Sequence, residues 1–438
     1  MRGSTVRWVV VLALLASLWF CPSSVAAVEE AAATAVSVPP QSTGAGAGKR
    51  NLEDYRAIHA FFDQMQAPGN CTTANGSDCG GCAGLEYVWS DMGCGGGFAA
   101  HFQLAASQWL RAAALTDYKV PILIIGQIWK YSEGAECKHV GGDWTCFFEK
   151  MAPCQNKLTK VGKVVAVDVN KAGPFDERLI PEQFRHVGIA YWWGIVQERM
   201  FRMQPDVQKY VEAEAAHWFP GLTAESLQPG YLLQPGLAAA EAAPVRIAGI
   251  HVRHGDKKSD GFKHQSLEAQ LTAVQYSKDC HQSTTAAAVE GGSEGGGVVR
   301  RGPVSCVGAS GKPLEIYVAS DDAAVLASAA AMGHLVDRDG VSQTTHDKGM
   351  LSALWNDVGM GYNATLEIIR DITLLSRCSS VVGIAASQVF RMAVGLSNAT
   401  GTLQGSVFAM DHSQLGRVAS MSSKFKIPLV EHFEQPLQ

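Results

Sequence analysis

The second half of this 438-residue chain is predicted to be an α/β fold with a doubly wound parallel sheet. One observation is that short apolar segments with the character of buried strands alternate there with segments of helical spacing. Another is that polar residues follow each of these predicted strands. Hydrophobic residues also make up 47% of a chain that is long enough for two domains. Strands that alternate with helices are typical of βαβ units, which build parallel sheets.

The first 50 residues are predicted to be a targeting segment and a linker. Arg2 and Arg7 precede an apolar run at 8–20, and small residues follow, which is typical of a secretory signal within residues 1–27. With about 13 residues the run is short for a membrane span, so a cleaved signal and a signal anchor remain alternatives. Either places the chain in the secretory pathway, in the Golgi lumen or secreted, with membrane contact through this segment alone. Residues 28–50, rich in Ala, Ser, Pro and Gly, are predicted to form a stem.

The composition argues against a nucleic-acid partner. The chain has 36 Lys and Arg against 41 Asp and Glu, a formal net charge of −5. The basic residues form no single cluster, so an anion site must be local.

The cysteines predict disulfides. Seven of the 11 lie between Cys71 and Cys154, and "CGGC" has the gap of a zinc knuckle but no matching second knuckle. Disulfides also fit a secretory chain, as do four possible glycosylation sites at Asn70, Asn75, Asn363 and Asn398. The expected pairs are Cys71–Cys154, Cys137–Cys146 and Cys280–Cys306, with Cys378 a buried free thiol.

The N-terminal α/β domain is predicted to span 51–244, with order beginning near Leu52. "LEDYRAIHAFFDQM" has helical spacing, and "VPILIIG" is typical of a buried strand. "GIAYWWGIVQERMFRMQPDVQKYVEAEA" is predicted to be helical with one break at Pro205, and its Trp192 and Trp193 are expected in the core.

The C-terminal domain is predicted to span 245–425. Its strands are "VRIAGIHVR", "LEIYVAS" and "SVVGIA". The helical segments between and after them are "LEAQLTAVQYSKDC", "DDAAVLASAAAMG", "NATLEIIRDITLLSRC" and "SQVFRMAVGLS". Residues 283–305 are a low-complexity loop.

The candidate site lies beyond the carboxyl ends of these strands, where such sheets bind ligands. Ser387 precedes a helix whose N–H groups can bind phosphate, and Arg253 could clamp the same phosphate. The polar residues that follow the three strands are His251, Arg253, His254, Asp256 and Lys257; Ser320, Asp321 and Asp322; and Ser387.

Each candidate also has a structural interpretation. These are an Arg253–Asp256 ion pair, helix capping by Asp321 and Asp322, a solvated helix face at Asp371, and a plain N-cap at Ser387. In the N-terminal half, Gly95, Gly96 and Gly97 allow close approach of a ligand or form a disulfide-held turn. Tyr131, which follows the "ILIIG" strand, could face the same cleft.

Several motifs together resemble the α1,6-fucosyltransferases, which act on N-glycan cores or on lipochitin oligosaccharides. They are "GCGGGFAAHF", "IWKYS", "WWGIVQERMFRMQPDVQKYVEAEA", "IHVRHGDK", "YVASDD" and "DITLLSRCSSVVGIAASQVFRMA". The resemblance covers roughly residues 70 to 400. It implies two Rossmann-like domains facing a cleft (GT-B-like), with GDP-fucose bound mainly by the C-terminal one, inversion at the anomeric carbon, and no metal or other cofactor.

The resemblance also implies roles for single residues. The guanine would contact His251 and Asp371, and the diphosphate would contact Arg253 and Ser387. The other donor-side positions are Gln388, Gly95, Gly96, Gly97 and Tyr131. Asp256, Lys257 and the donor-binding pair Asp321 and Asp322 match polar positions around the reacting centre.

Two departures from the family pattern bear on activity. His254 stands where the family has a second arginine, and Asp260 stands where the family has a glutamate base.

From the resemblance we expect a fucosyltransferase that transfers fucose to a glycan, in α1,6 linkage to N-acetylglucosamine of an N-glycan core. The alternative is a catalytically silent secretory protein that binds the donor or a glycan.

Overall fold

The computed structural model describes 17 segments of the chain. They are residues 52–66, 86–91, 98–119, 122–125, 131–132, 135–140, 143–151, 163–165, 177–219, 247–254, 265–275, 281–282, 306–307, 314–336, 362–384, 387–402 and 407–410. The predicted targeting segment, stem and low-complexity loop lie outside them. None of the helices in these segments is long and apolar enough to cross a membrane.

The N-terminal half contains a small parallel sheet flanked by helices. Its strands β1 (Glu86–Asp91), β2 (Ile122–Ile125) and β3 (Lys163–Val165) are arranged in the order β2-β1-β3. Helix α1 (Leu52–Gln66) precedes the sheet and α2 (Phe98–Leu115) follows β1. The predicted first helix and the predicted "ILII" strand are confirmed, and this half combines helices with a parallel sheet, as the α/β prediction requires.

The described residues of this half also include two further helices and four 3₁₀ turns. Helix α3 (Ile189–Met200) ends before helix α4 (Pro205–Trp218) begins. Proline inside a helix would remove a hydrogen bond and clash with the preceding turn, but in the first turn its missing N–H is not needed, so Pro205 starts a new helix. The predicted break at Pro205 is therefore confirmed. The 3₁₀ turns are Lys138–Val140, Trp144–Cys146, Glu177–Leu179 and Glu182–Val187.

The C-terminal half contains a five-stranded parallel sheet. Its strands are β4 (Ile247–Val252), β7 (Glu315–Ser320), β8 (Leu335–Val336), β9 (Ser380–Gly383) and β10 (Val407–Ala409). The order is β10-β9-β4-β7-β8, so the chain starts in the middle, adds two strands on one side and then two on the other. This is the Rossmann strand order, with its switch point between β4 and β9.

Helices cover both faces of this sheet, as the doubly wound prediction requires. On one face α5 (Leu267–Val274) and α6 (Ala323–Ala331) bury side chains against Ala248, Ile250 and Val252 of β4. On the other, α4, α7 (Tyr362–Arg377) and α8 (Gln388–Thr400) pack against the alternate strand residues. A separate antiparallel pair, β5 (His281–Gln282) and β6 (Cys306–Val307), brings together the two ends of the low-complexity loop.

The two halves share a hydrophobic core. Its aromatic centre comes from the N-terminal half and includes the fully buried Trp192, but Ile369 of α7 and Leu396 of α8 belong to the same cluster. Helices α3 and α8 cross in close contact at two glycines, because a Cβ on Gly194 would lie 2.5 Å from the carbonyl oxygen of Gly395. The predicted domain boundary at 244 falls outside the described residues and stays a prediction.

The predictions for cysteines and glycosylation sites have mixed outcomes. The Cys137–Cys146 disulfide and the buried free thiol of Cys378 are confirmed. Cys71, Cys154 and Cys280 lie outside the described residues, so the pairs Cys71–Cys154 and Cys280–Cys306 stay predictions. Asn363 is exposed on the first turn of α7. Asn398 is only 8% exposed on α8, so the folded chain has no room for a glycan there.

Candidate functional site

The carboxyl ends of the three central strands meet at one edge of the Rossmann sheet. Val252 at the end of β4 is in register with Ser320 at the end of β7, and Ile250 is in register with Val382 of β9. The residues that follow these strands therefore come from distant parts of the sequence to one place. This edge carries most of the predicted donor-binding residues that the structure describes.

A polar network joins the ends of β4 and β7. The Arg253 guanidinium donates to one carboxylate oxygen of Asp321, and the His254 backbone N–H donates to the other at 2.9 Å. The His254 ring lies 2.8 Å from a carboxylate oxygen of Asp322, measured from Nδ1. Arg253 and Asp321 are partly buried, with 17% and 11% of their side chains exposed, so the pair holds the guanidinium in a defined direction at the sheet edge.

Asp322 also has the capping role that its sequence position suggests. It is the N-cap residue of α6, and its side chain accepts a hydrogen bond of 2.9 Å from the Ala324 N–H. The neighbouring Ser320 hydroxyl donates to the carbonyl of Val252 and accepts from the Asp322 N–H. These bonds fix the strand end, and the capping interpretation of Asp322 is confirmed.

His251 is buried at the end of β4 with an unused hydrogen-bonding atom. Its side chain is on the α7 face of the sheet, and no described residue bonds its Nδ1 atom. Burial lowers the pKa of His251 to about 4; Asp321 acts to raise it and Arg253 to lower it. The ring is therefore neutral at physiological pH, and its Nδ1 can donate to or accept from a ligand.

Asp371 lies on the same face and at the same level as His251. A Cβ on Gly249 would lie 3.1 Å from Leu375 of α7, and α7 runs toward the start of β9, antiparallel to the strands. Asp371, four residues earlier, lies about 6 Å nearer the carboxyl edge. His251 lies about 6.6 Å beyond Gly249 in the same direction. The two predicted guanine contacts therefore lie on the same face of the sheet and near the same edge.

Asp371 is held in place by two side chains. Its Oδ1 accepts a hydrogen bond of 3.0 Å from the Tyr317 hydroxyl and another of 3.0 Å from Arg370 Nη2. Arg370 also lies 3.7 Å from Glu214 of α4. Asp371 is therefore a fixed, half-buried carboxylate and not part of a solvated helix face. Tyr317 and Arg370 were not predicted from the sequence, where each looks like an ordinary strand or helix residue.

Ser387 begins α8 directly beyond β9. It is the N-cap residue and 2% exposed, but its side chain makes no capping hydrogen bond. Gln388 follows, and its carbonyl accepts a hydrogen bond of 3.0 Å from Gln103 of α2. Buried carbonyl oxygens of both glutamine side chains have no partner among the described residues. The helix start therefore has unused polar groups beside the switch point, and Gln103 connects it to the N-terminal half.

Tyr131 is placed in the core and not on a surface. Its side chain is fully buried and meets Phe98 edge-on, with ring centroids 5.5 Å apart, and His101 at 5.6 Å. Its carbonyl accepts a hydrogen bond from Thr365 of α7. The prediction that it faces a cleft is corrected, because aromatic packing encloses the ring. Trp192 and Trp193 are in the core, as predicted.

Several predicted site residues lie outside the described part of the chain. They are Asp256, Lys257, Asp260, Gly95, Gly96 and Gly97. Within the described part, no group of three or more His, Cys, Asp and Glu side chains could hold a metal ion.

Comparison with known proteins gives weak similarity only. No family model and no curated protein matches the chain. It is similar to NodZ α-1,6-fucosyltransferase soaked with GDP-fucose, at 16% identity and a TM-score of 0.35, over 71% of this chain and 92% of NodZ. The same enzyme co-crystallized with GDP gives 16% identity and a TM-score of 0.37, over 70% and 91%. NodZ from Bradyrhizobium gives 14% identity and 0.37, over 70% and 92%. Scores at this level carry no argument, so function rests on the residues.

Proposed function

We propose that the chain is a fucosyltransferase that moves fucose from GDP-fucose to a glycan. The observation that supports the proposal is a grouping of residues from distant parts of the sequence. The Rossmann strand order brings His251, Arg253, Asp371 and Ser387 to the carboxyl edge of the sheet. These are the residues to which the motif resemblance assigns the donor.

In this proposal the guanine base lies against His251 and Asp371. Guanine presents N–H donors and carbonyl and ring-nitrogen acceptors. A fixed carboxylate at Asp371 suits the donors, and a neutral imidazole at His251 can serve an acceptor. Tyr317 is a positioning residue because its hydroxyl orients the carboxylate. A uracil base offers fewer donors, so the site should prefer GDP to UDP.

The diphosphate lies between Arg253 and the start of α8. A guanidinium has five N–H donors, so the bond to Asp321 leaves donors for phosphate while fixing the direction of the group. The N–H groups of the first turn of α8 and the Ser387 hydroxyl provide further donors. Both supports act more strongly as negative charge develops on the departing GDP, which is how they would lower the barrier.

The transfer step forms a bond between an acceptor hydroxyl oxygen and the anomeric carbon of fucose. The bond from that carbon to the β-phosphate oxygen breaks, and GDP leaves with the electron pair. The hydroxyl proton passes to a carboxylate, for which Asp260 is our first candidate and Asp256 the second. Attack from the face opposite GDP gives inversion, and the proposed reaction involves no metal.

The direct test measures donor binding and transfer on the purified chain. GDP should raise the melting temperature more than UDP does at equal concentration. GDP release from GDP-fucose should rise when core N-glycans are added, and a glycan array should identify the acceptor. Asp260→Asn should abolish transfer and leave the GDP-induced shift unchanged, because a base acts on the acceptor. Normal transfer by Asp260→Asn together with loss in Asp256→Asn would move the role to Asp256.

The second candidate function is binding without transfer. It is favoured by one specific observation, that His254 replaces an expected arginine and is itself bonded to Asp322. A silent protein would show the GDP-induced shift but no acceptor-dependent GDP release with any glycan on the array. That pair of results would replace the enzyme proposal with this one.

A further inference from the structure

Two of the four possible glycosylation sites lie on described helices, and their surroundings differ. Asn363 is exposed in the first turn of α7, whereas Asn398 is buried on α8. The neighbours of Asn398 in the helix, Ser397 and Ala399, are fully buried, and a Cβ on Gly194 of α3 would lie 3.2 Å from the Ala399 N atom. An N-linked glycan is bulky and must lie on the protein surface. Of these two asparagines, only Asn363 can therefore hold a glycan in the folded protein.

The side chain of Asn363 is available for attachment. The motif is Asn363-Ala364-Thr365, with a hydroxyl residue in the third position and no proline in the second. No described residue makes a hydrogen bond with the Asn363 side chain. Because a glycan is joined through the amide nitrogen of asparagine, its attachment here would break no hydrogen bond within the described part of the chain.

The residues on either side of Asn363 are fixed by contacts with the N-terminal half. The Tyr362 ring stacks on Phe147, with centroids 5.0 Å apart. The Thr365 hydroxyl donates a hydrogen bond of 2.8 Å to the carbonyl of Tyr131. Successive helix residues point about 100° apart, so these contacts hold the first turn of α7 with Asn363 directed outward. A glycan on Asn363 would extend into solvent without displacing them.

The threonine of the motif indicates when the glycan must be attached. An enzyme that recognises Asn-x-Thr needs access to the threonine as well as the asparagine. In the folded protein Thr365 is fully buried, and its hydroxyl is already bonded to the Tyr131 carbonyl. Attachment must therefore precede the packing of α7 against the N-terminal half.

The attachment is a group transfer from a lipid-linked oligosaccharide. A bond forms between Nδ2 of Asn363 and the anomeric carbon of the first sugar, and the bond from that carbon to the lipid diphosphate breaks. The lipid diphosphate leaves with the electron pair, and Nδ2 loses one proton to a base of the transferring enzyme. This reaction takes place in the lumen of the secretory pathway. The inference therefore depends on the predicted targeting segment and not on the proposed fucosyl transfer.

The attachment point lies at the same end of α7 as the proposed donor site. The first turn of α7 lies beyond the carboxyl edge of the sheet, because α7 runs antiparallel to the strands and ends just before β9. Asn363 precedes Asp371 by eight residues, which is about 12 Å along the helix axis and about 80° around it. Asp371 faces the sheet, where the Tyr317 hydroxyl bonds it. A glycan on Asn363 would therefore start beside the donor site and not within it.

We propose that Asn363 is an N-glycosylation site and that its glycan is attached before α7 packs against the N-terminal half. The folded helix then holds the glycan at the surface beside the carboxyl edge of the sheet. A chain modified at Asn398 would be unable to form the crossing of α3 and α8. The folded protein therefore has a glycan at Asn363 and none at Asn398.

The test is mass spectrometry of the full chain, expressed with its own N-terminal segment in a eukaryotic secretory host. Enzymatic release of N-glycans in heavy-oxygen water converts each modified asparagine to a labelled aspartate. Asn363 should be labelled, and Asn398 in the same folded protein should not. Absence of label at Asn363, or equal labelling of the two asparagines, would overturn the proposal.

Two variants assign the glycan to this motif. Asn363→Gln should remove one glycan from the intact mass and leave the circular-dichroism spectrum unchanged, because Asn363 is exposed. Thr365→Ser is the matched control, since it keeps a hydroxyl both for the motif and for the Tyr131 carbonyl, and it should keep the glycan. An intact mass that Asn363→Gln does not change would overturn the assignment.

A further measurement tests the order of attachment and folding. The folded chain, prepared without glycans, should not accept an oligosaccharide from a purified oligosaccharyltransferase and its lipid-linked donor, because Thr365 is buried. A peptide of residues 358–370 should accept one under the same conditions. Transfer to Asn363 of the folded chain at the rate seen with the peptide would overturn the proposal that attachment comes first.

Discussion

At the scale of single residues, the candidate site depends on polar groups whose hydrogen bonds are arranged in advance. Arg253 and Asp371 are each held by another side chain, which limits the motion that ligand binding must stop. His251 is different, because it is buried and its Nδ1 has no described partner. A buried polar atom without a partner costs stability, and a ligand that supplies one recovers that cost. These residues explain why the edge should bind its ligand specifically.

The buried histidine predicts an acid-sensitive fold. The pKa of His251 falls from 6.5 in the unfolded chain to about 4 in the native protein, a difference of about 3 kcal/mol in proton affinity. Between these values the unfolded chain takes up a proton that the native protein does not, so the free energy of unfolding falls as pH drops from 6.5 toward 4 and is unaffected above 6.5. Denaturant melts from pH 8 to 4 should show a smaller loss in His251→Asn. The exposed His139→Asn is the control, and equal pH profiles for all three proteins would contradict the assignment.

The proposed diphosphate contact of Arg253 predicts that turnover depends strongly on the shape of this side chain. Arg253→Ala should lower turnover about 100- to 1000-fold, because it removes a fixed donor that strengthens as GDP departs. Arg253→Lys should recover little, since an ammonium group cannot reproduce the guanidinium fork. The rate of GDP-fucose turnover with a saturating acceptor measures both. Arg56→Lys on α1 is the control, and near-normal turnover by Arg253→Lys would show that charge alone is sufficient.

At the scale of elements, the sequence predicted those whose pattern is local. The strands β4, β7 and β9 are apolar runs bounded by turns or polar residues, and the helices between them have 3.6-residue spacing. The strand β1 was not predicted, because "EYVWSD" has only three consecutive apolar residues and an acidic residue at each end. The strands β8 and β10 have two and three residues, and only their pairing with neighbours defines them. Tyr131 was assigned to a cleft because enclosure by Phe98 and His101 depends on packing that no local pattern contains.

The crossing of α3 and α8 predicts a position where a methyl group is not tolerated. A Cβ on Gly194 would lie 2.5 Å from a backbone oxygen, so Gly194→Ala must push the helices apart. We expect a loss of about 1–3 kcal/mol in the free energy of unfolding, despite the better helix propensity of alanine. Chemical denaturation measures it, with Ala216→Ser on the exposed side of α4 as the control. A Gly194→Ala variant as stable as the wild type would mean that the helices are further apart than described.

At the scale of the whole molecule, the two sheets are joined through shared helices. The helix α8 starts at the proposed donor site, is contacted there by Gln103, and crosses α3 along its length. The helix α7 contributes Asp371 to the site and Ile369 to the aromatic core. The motif resemblance implied two domains that face a cleft. What the sequence did not show is that the helices of the C-terminal half also complete the core of the other half, because that depends on contacts between segments about 200 residues apart.

This shared core predicts that donor binding stabilises both halves together. Seven of the ten tryptophans lie in residues 51–244 and one, Trp355, lies in the C-terminal half, so tryptophan fluorescence reports mainly on the N-terminal half, whereas the proposed GDP site is in the C-terminal one. If α7 and α8 couple the halves, GDP should raise the midpoint of the tryptophan-detected transition and of the circular-dichroism transition by the same amount. UDP is the matched ligand control. Gly194→Ala, which disturbs the α3–α8 crossing, should reduce the shift seen by tryptophan more than the shift seen by circular dichroism. Two separate transitions in the wild type, with GDP moving only the one that tryptophan does not report, would show that the halves unfold independently and that the shared core does not couple them.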